Sequence, residues 1–484
     1  MNLKAISRNI GAALLVSSLF MLLSAGVSLL DDRDSSFTPL LISFFITFIV
    51  GVFPFIFVRR ASHISLKEGY LIIVLSWLLS FIFGMLPYAL WGGPFTLSNA
   101  WFESVSGFTT SGATILTDIE AVPHGLLFWR AATHFIGGLG VVVFLLLIIP
   151  NTSPMKLRLT NMELSSLSKG GYSSNTNRTT YIFAYVYIGI AVVAFIAYVL
   201  AGMTPFDAIC HAFSVCSTGG FSTRNLSIGA FNSPAIEVIT LVLMIVASCH
   251  FGLIYLSIVG RTLKPLNNPV LKFYLLSLAV ISLAAGISLK ATGAEESLGT
   301  AMWHGAFQTV CIASSTGFAI VDNASWPLLP SLFIMLIGVM CGCAGSTSGG
   351  VKADRVLVFF KTVGRQISRI LHPSSVNEVK LGSRVLRDEE VMPHVLYIGL
   401  YCILLAFSVI LAKAAGVNGY SAFSGSVASL GNLGPGIGEI GNFGNYSGLS
   451  DSAKFLFSFD MFLGRVEIYP VLAVVAMLFD DRKK

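Results

Sequence analysis

The chain has 484 residues, of which 55% are hydrophobic and only 11% are charged, and its formal net charge is +6. Soluble domains contain about 45–50% apolar and about 25% charged residues, so this composition excludes an ordinary soluble enzyme. It indicates an integral membrane protein. The positive charge must then be interpreted by its position along the chain, and it is no sign of nucleic-acid binding.

The chain contains ten apolar runs long enough to cross a bilayer as helices, each of about 20 residues or more. They lie at about 9–30, 37–58, 68–92, 125–149, 179–203, 234–260, 270–289, 327–360, 393–415 and 454–479. Ten spans place both termini on one side, and most lysines and arginines fall in the loops of that side. By the positive-inside rule, we expect both termini to be cytoplasmic. The longest basic segment, 352–387, would form a cytoplasmic surface suited to a soluble partner or to anionic lipid, although topology alone also explains its charge.

A short pattern of small polar residues followed by glycine occurs four times between the spans. The copies are Thr-Thr-Ser-Gly-Ala at 109–113 (loop 1), Cys-Ser-Thr-Gly-Gly at 216–220 (loop 2), Ser-Ser-Thr-Gly-Phe at 314–318 (loop 3) and Gly-Asn-Leu-Gly-Pro at 431–435 (loop 4). Each loop follows a stretch too short to cross twice, and we expect re-entrant half-helices at 97–107, 205–215, 300–312 and 420–430. The all-α fold is therefore predicted to contain four units of span, half-helix, loop and span, preceded by two extra spans.

Non-helical backbone inside a bilayer must be buried in protein or line a water-filled cavity, because lipid cannot satisfy its polar groups. The four loops are therefore expected to share one axis, where a ring of carbonyl oxygens can replace the hydration shell of a cation. Glycine permits such a backbone, and the negative C-terminal ends of the half-helices favour cations. No motif carries a charged side chain, which argues for a monovalent ion. The predicted ion-binding residues are Thr110, Ser111, Gly112, Ser217, Thr218, Gly219, Ser315, Thr316, Gly317, Asn432, Leu433 and Gly434.

The loops also resemble those of a known family. The stretches at 106–114, 217–223, 315–318 and 432–436 are similar to motifs of the bacterial Trk/Ktr/HKT superfamily of potassium transporters, most closely its TrkH-type membrane subunits. The two spans within about 9–58 strengthen the likeness, because the similar KtrB proteins lack them. The resemblance implies a pseudo-fourfold pore with an N-terminal helix pair at 1–62 and pore repeats at 63–150, 151–262, 263–372 and 373–484. It also implies one aligned glycine per loop, and hence a less strict filter than that of tetrameric potassium channels.

The resemblance further implies a transported ion, a partner and a location. Potassium would be the transported ion, and no cofactor is expected in this chain itself. Control would come from a separate cytosolic ring resembling TrkA, which binds NAD(H) or ATP and acts on the membrane subunit. A homodimer in the lipid of a bacterial inner (plasma) membrane is also implied.

The eighth span is interrupted by a run of glycine and serine at 342–350. Such residues lower helix propensity, and the break resembles the intramembrane gating loop of the family, here at 341–352. The gate residues implied are Gly345, Ser346, Thr347, Gly349, Gly350 and Lys352. A kinked packing helix with small residues is an alternative. A phosphate-binding loop is excluded because no strand precedes it, and a metal site at Cys341 and Cys343 is excluded because further ligands are lacking.

The last span carries three ionisable residues, Asp460, Arg465 and Glu467, in an otherwise apolar helix. Charged groups at this depth are costly and normally face the interior of a bundle. Arg465 matches a Gly-Arg-x-Glu pattern of the TrkH-type subunits, which implies an arginine that points into the pore below the filter and belongs to the gate. A structural ion pair of Arg465 with Asp460 or Glu467 is the alternative.

The predicted function is potassium uptake through a gated, channel-like pore, without enzyme activity. A proton- or sodium-coupled potassium symporter is the alternative within transport, since His134, His211, His250 and His304 lie near the pore repeats. Satisfied polar residues near helix ends are the better explanation of these histidines. An intramembrane hydrolase would need Ser346 or Ser348 with His304 as nucleophile and base. A purely structural role does not explain four glycine loops.

Overall fold

The computed structural model describes residues 2–58, 65–140, 176–373, 377–382 and 384–480. The helices of the first part are α1 (Leu3–Leu30), α2 (Phe37–Phe57), α3 (Leu66–Gly84), α4 (Leu86–Trp91), α5 (Leu97–Phe108) and α6 (His124–Leu139). They are followed by α7 (Thr176–Leu200), α8 (Pro205–Cys216), α9 (Pro234–Ser248), α10 (Phe251–Val259), α11 (Pro269–Ala291), α12 (Leu298–Ala313), α13 (Leu328–Met340) and α14 (Ala353–Leu371). A small antiparallel hairpin of β1 (Val379–Leu381) and β2 (Arg384–Leu386) precedes α15 (Asp388–Ala414), α16 (Gly419–Gly431), α17 (Asp451–Val466) and α18 (Ile468–Asp480).

Within the described residues, six helices are long and apolar enough to cross a membrane, and the bent pair α9 and α10 would make a seventh span. The six lie at Leu3–Leu30, Phe37–Phe57, Lys67–Trp91, Tyr181–Leu200, Pro269–Ala291 and Asp388–Ala414. Large apolar side chains such as Phe57, Val193 and Ile403 are exposed on these helices, as expected for contact with lipid. The prediction of an all-α integral membrane protein is confirmed.

Three of the ten predicted spans are broken, although the sequence predicts an interruption only in the span at 327–360. Those at 234–260, 327–360 and 454–479 are each broken into two helices, α9 and α10, α13 and α14, and α17 and α18. The sequence indicated only the break at 342–350, because the breaks at Cys249 and Glu467 carry no run of glycine and serine. The predicted span 125–149 begins as α6, and its end lies outside the described residues, as do the predicted boundaries at 62 and 150.

The re-entrant half-helices lie where the sequence predicts them, as α5, α8, α12 and α16. Each follows a capping residue whose side-chain oxygen accepts a hydrogen bond from a backbone N–H of the first turn, namely Thr96, Thr204, Ser297 and Asn418. Such a cap stabilises a helix by about 1 kcal/mol. Because these helices have only 12 to 16 residues, each reaches only part of the way through a bilayer.

The helices α1 and α2 form a hairpin whose turn contacts α6. The carboxylate of Asp34 in this turn accepts a hydrogen bond of 3.0 Å from the N–H of Gly125. Burial raises the pKa of Asp34, but hydrogen bonds from Ser28, Ser36 and Gly125 outweigh this effect and lower the pKa below its ordinary value. The charged carboxylate therefore attaches the hairpin to the helix that follows loop 1.

Candidate functional site

Loops 1 to 4 share one backbone conformation, which begins at the end of each half-helix. Positive φ angles of 50 to 57° occur at Thr110, Thr218, Ser315 and Asn432. The residue after each of them donates its N–H to the carbonyl five positions earlier, at 2.8 to 3.0 Å. Two positions after each comes a glycine with φ between 81 and 89°, namely Gly112, Gly220, Gly317 and Gly434. The four loops are therefore equivalent residue by residue.

These aligned glycines bring the loops into contact around one axis. Each lies so close to the next loop that an added Cβ atom would be 2.8 Å or less from a backbone carbonyl oxygen there. The pairs are Gly112 with Gly219, Gly220 with Thr316, Gly317 with Leu433 and Gly434 with Ser111. Loop 1 thus contacts loop 2, loop 2 contacts loop 3, loop 3 contacts loop 4, and loop 4 contacts loop 1. Such close approach of two backbones requires glycine, and the cyclic order means that the loops enclose a common axis.

The predicted register of loop 2 is wrong by one residue. The sequence pattern aligns Gly219 with Gly112, whereas the backbone aligns Gly220 with it. Ser217 is the C-cap residue of α8 and has right-handed φ and ψ angles, so its counterpart in loop 1 is Thr109. Loop 2 contains two successive glycines, and the sequence alone gives no reason to choose the second.

One cavity adjoins loops 1 to 4, and another adjoins the predicted gating loop. The first, of about 160 Å³, is lined by the four aligned glycines together with side chains such as Arg130 and Tyr446. The second, of about 110 Å³, is lined by residues 346–350 of the gating loop and by Lys352, Arg465 and Glu467. The aligned glycines therefore face one cavity, and most of the predicted gate residues face the other.

The predicted gating loop, 341–352, is a segment between α13 and α14 whose two ends are joined by backbone hydrogen bonds. Val351, Lys352 and Ala353 donate backbone hydrogen bonds of 2.7 to 3.1 Å to the carbonyls of Val339, Met340 and Gly342. Within the segment, Gly345 and Gly350 have φ angles of 81° and 68°, which glycine adopts without strain. A kinked helix would resume its path at once, whereas this segment leaves α13 and folds back to its end. The alternative of a kinked packing helix is therefore wrong.

The gating loop lies against the ends of two half-helices. The hydroxyl of Thr347 donates a hydrogen bond of 3.1 Å to the carbonyl oxygen of Cys216, the last residue of α8. The N–H of Gly349 donates one of 2.9 Å to the hydroxyl of Ser315 in loop 3. The gating loop therefore contacts the second and third units where their half-helices end.

Arg465 connects the gating loop with the first unit. Its guanidinium donates a hydrogen bond of 2.8 Å to the carbonyl oxygen of Thr347. It also donates to the carbonyl oxygens of Gly137 and Gly138, at the end of α6, at 2.6 and 3.0 Å. The side chain thus reaches from α17 to both the gating loop and α6, and it lines the second cavity.

The two carboxylates considered as ion-pair partners of Arg465 have other partners in the structure. Glu467 binds Arg355 at 3.0 Å instead, and Asp460 accepts a hydrogen bond from the hydroxyl of Ser408. The four histidines also have partners, His134 with Ser214, His211 with Asp207 and Ser222, His250 with Gly252 and His304 with Glu295. Each histidine therefore has a hydrogen-bonding role within the fold.

A buried ion pair behind loop 1 was missed by the sequence pattern. Glu103 in α5 and Arg130 in α6 lie 2.7 Å apart, and their side chains are 0% and 1% exposed. Glu103 also accepts hydrogen bonds of 3.0 Å from the hydroxyl of Thr114 and the N–H of Ile115, just after loop 1. The sequence does contain a signal for this ion pair, because each of two apolar segments carries one charged residue. A charged side chain within a membrane costs free energy and is usually paired or functional.

The residues that the structure describes contain no group of three or more His, Cys, Asp and Glu side chains that could hold a metal ion. All seven cysteines are free thiols. Loops 1 to 4 offer backbone carbonyls to a cation, together with hydroxyl side chains in loops 1 to 3 and the amide of Asn432 in loop 4.

The fold and the loops define a class, an all-α membrane protein in which re-entrant helix–loop units enclose a common axis. The sequence model of the TrkH family, described as cation transport protein, matches residues 38–483. The chain belongs to this family, as the resemblance of its loops predicts. It is 31% identical to the Trk system potassium uptake protein TrkH of Salmonella typhimurium and 32% identical to that of Vibrio parahaemolyticus, with 99% of each chain covered. It is similar to the crystal structure of the potassium transporter TrkH from Vibrio parahaemolyticus, with a TM-score of 0.87, 31% identity and 98% of each chain covered.

Proposed function

We propose that this protein mediates potassium uptake by passive, gated conduction along the axis of loops 1 to 4. The observation that carries the proposal is the cyclic contact of the loops, in which uncharged backbone encloses one axis. Each half-helix ends at its loop, so partially negative helix C-termini lie around the same region and favour a cation. Relatives over the full chain length are named potassium uptake proteins, which supports potassium as the ion.

The ion would be held by carbonyl oxygens in the corrected register. We assign the filter to Thr110, Ser111 and Gly112, to Thr218, Gly219 and Gly220, to Ser315, Thr316 and Gly317, and to Asn432, Leu433 and Gly434. Such a ring of dipoles replaces the hydration shell of a monovalent cation without a fixed charge. Loop 4 would contribute least at the first cavity, because the carbonyl of Gly434 already accepts a hydrogen bond of 3.2 Å from the hydroxyl of Tyr446.

The gating loop and Arg465 would together obstruct the pathway. The contacts of Thr347 and Gly349 hold the loop against the second and third units. Arg465 places a fixed positive charge beside the second cavity, and Lys352 also lines it. Two like charges about 4 Å apart repel by about 4 kcal/mol at an effective dielectric constant of about 20. A cation would therefore cross this region only after the gating loop and the guanidinium have moved.

The proposal includes a bacterial inner (plasma) membrane with both termini in the cytoplasm. The helix α14 and the β-hairpin would then lie on the cytoplasmic side, where α14 carries Lys361, Arg365 and Arg369. We propose that a cytosolic ring resembling TrkA, with bound NAD(H) or ATP, acts at this surface, and that the membrane subunit is a homodimer. The words "Trk system" in the names of the relatives are consistent with more than one component.

We propose no enzyme activity and no cofactor for this chain. The hydrolase alternative requires a serine beside His304, but His304 binds Glu295 at 2.7 Å. Ser346 instead binds Ser348 at 2.8 Å and the carbonyl oxygen of Cys343 at 2.7 Å. The groups needed for a nucleophile and its base therefore have other partners.

Potassium flux into proteoliposomes that contain this chain alone tests the proposal. Wild type is compared with Gly317→Ser and with Gly399→Ala, a change at an exposed helix position where a Cβ atom meets nothing within 4 Å. Passive conduction predicts a flux that follows the potassium gradient and persists without proton or sodium gradients. Gly317→Ser should lose discrimination between potassium and sodium, and Gly399→Ala should keep it. Flux that stops when the proton or sodium gradient is removed would favour the coupled symporter.

A further inference from the structure

Outside the aligned glycines, a second set of contacts joins the loops in the same cyclic order. The segments after loops 2 and 3 are joined by backbone, since Gly229 donates to the carbonyl of Ala319 at 3.0 Å. The segments after loops 4 and 1 are also joined by backbone, since Tyr446 donates to the carbonyl of Thr114 at 2.8 Å. The other two junctions are made by side chains. We call this set of contacts the outer clamp.

The junction of loops 1 and 2 depends on the buried ion pair of Glu103 and Arg130. Glu103 holds the chain after loop 1 through Thr114 and Ile115. Arg130 donates to the carbonyl oxygen of Ser222, just after loop 2, at 3.3 Å. Its guanidinium also lies 4.0 Å from the ring centroid of Phe221. This buried salt bridge therefore links the segments after loops 1 and 2, and Asn225 adds exposed hydrogen bonds to residues 118–120 between the same segments.

The junction of loops 3 and 4 contains a pair of amide side chains, beside a hydrogen bond of 3.2 Å from the backbone N–H of Asn442 to the side-chain oxygen of Asn323. Gln308, buried in α12, donates to the side-chain oxygen of Asn442 at 2.9 Å, and Asn442 donates back at 2.8 Å. Asn442 also donates to the carbonyl oxygen of Val321, after loop 3, at 3.1 Å. Gln308 stands seven residues before Ser315, as Glu103 stands seven residues before Thr110. The two side-chain junctions therefore start from equivalent positions of their half-helices.

We infer that Glu103, Arg130, Gln308 and Asn442 are positioning residues that set the spacing of the loops and thereby the discrimination between potassium and sodium. The inference rests on the proposed carbonyl filter and deepens it. A filter tolerates the smaller ion better when its carbonyls can move toward the axis. Backbone contacts hold two junctions whatever the side chains are, so the two side-chain junctions are the points at which sequence can adjust the filter. None of the four residues is required to touch the ion.

The amide junction gives the sharper test, because its members are uncharged. Potassium flux, sodium flux and the potassium concentration at half-maximal flux are measured in proteoliposomes for wild type, Asn442→Ala and Gln308→Ala. The exchange variant Gln308→Asn with Asn442→Gln keeps both amides and their combined length. Asn445→Ala is the matched control, because the side-chain oxygen of Asn445 accepts hydrogen bonds from the backbone and hydroxyl of Ser447, two residues further along the same turn. Equal amounts of folded protein are verified by size-exclusion chromatography before reconstitution.

We expect each alanine variant to lower the potassium-to-sodium flux ratio about tenfold, which corresponds to about 1.4 kcal/mol. Maximal potassium flux should stay within about twofold of wild type, since the pathway itself is not blocked. The exchange variant should recover most of the ratio, and Asn445→Ala should keep it. A general loss of stability would lower all fluxes together and leave the ratio unchanged, so the ratio distinguishes positioning from a merely structural role.

A second variant, Glu103→Gln, examines the charged junction. It keeps the shape of the side chain and removes the charge that binds Arg130. The potassium-to-sodium flux ratio should therefore fall at least as far as in Asn442→Ala and Gln308→Ala. The inference about the outer clamp would be wrong if Asn442→Ala, Gln308→Ala and Glu103→Gln all keep the wild-type potassium-to-sodium flux ratio while Gly317→Ser alters it. The proposed carbonyl filter would then still hold. An unaltered ratio in Gly317→Ser would overturn both the filter and the clamp.

Discussion

The guanidinium of Arg465 donates a hydrogen bond of 2.8 Å to the carbonyl oxygen of Thr347, a residue 118 positions away in the sequence. Thr347 lies within the gating loop, and Arg465 lies in the last turn of α17, two residues before the break at Glu467. Because Arg465 also binds the carbonyls of Gly137 and Gly138, it joins the gating loop to the first and fourth units. These carbonyl oxygens accept hydrogen bonds from the guanidinium, whose positive charge lies beside the second cavity.

Replacement of Arg465 by alanine should increase potassium flux. The change removes a positive charge beside the second cavity and one of the bonds that hold the gating loop. We expect at least about a fivefold rise, which is about 1 kcal/mol and within the range of a partly screened charge interaction. Flux into proteoliposomes at matched protein levels measures it. Arg465→Lys keeps the charge and should stay closer to wild type. Equal flux in all three proteins would show that the ion does not pass this side chain.

The corrected register of loop 2 predicts different effects of alanine at two neighbouring glycines. Gly220 has a φ angle of 83°, and a Cβ atom there would collide with the carbonyl of Thr316 in loop 3. A residue with a side chain in a left-handed conformation costs about 1–2 kcal/mol, so Gly220→Ala should lower potassium-to-sodium discrimination about tenfold. Gly219→Ala should instead displace His134, because a Cβ atom added at Gly219 would collide with the ring of that histidine. Potassium and sodium fluxes measured in parallel for both variants test the register. A loss of selectivity in Gly219→Ala alone would favour the alignment of Gly219 with Gly112 that the sequence pattern predicts.

The signals for the half-helices and loops are local, which is why the sequence predicts them. A capping residue, a short apolar stretch and a glycine after small polar residues are visible without any knowledge of the fold. The choice between Gly219 and Gly220 is different, because it depends on the backbone conformation of loop 2 and on the contact of Gly220 with Thr316 in loop 3. Periodicity and composition contain no information on which loop is the neighbour.

The breaks and the ion pairs depend on contacts between distant elements. Glu467 has a φ angle of 63° and binds Arg355 at the start of α14, so the end of α17 is set by a partner from another unit. The pairing of Glu103 with Arg130 likewise joins two helices. The sequence shows that charged residues are present in apolar segments, but their partners are defined only by the tertiary fold.

The link between the gating loop and α14 predicts an effect of Asp354. Its carboxylate accepts a hydrogen bond from the N–H of Ala344 within the loop. Hydrogen bonds to charged groups contribute about 1.5–3 kcal/mol, so Asp354→Ala should shift the loop toward release and raise flux about tenfold. Asp354→Asn keeps an acceptor of the same shape and serves as the control with a smaller rise. Flux at or below the wild-type level in Asp354→Ala, at equal protein content, would show that this bond does not hold the gate closed.

The basic face of α14 predicts where a cytosolic ring would bind. This face consists of Lys361, Arg365 and Arg369. Two of these residues also have partners within the chain, since Arg365 binds Asp388 at 2.6 Å and Lys361 donates to the carbonyl oxygen of Lys380. Arg369 is exposed in the last turn of α14, so reversal at this position disturbs the fold least. Exposed charge pairs contribute about 0.2–1 kcal/mol each.

Charge reversal at Lys361, Arg365 and Arg369 should therefore weaken association with the ring by about tenfold or more, and Arg369→Glu alone by about threefold. Binding of the purified ring to this protein in lipid nanodiscs gives the dissociation constants, and raised salt should reduce the difference between the proteins because it screens exposed charges. Lys413→Glu is the matched control, because Lys413 lies at the opposite end of α15, away from the β-hairpin. If the triple variant binds the ring as wild type does while Lys413→Glu also binds normally, the ring docks on another surface and the charge of 352–387 reflects membrane topology alone.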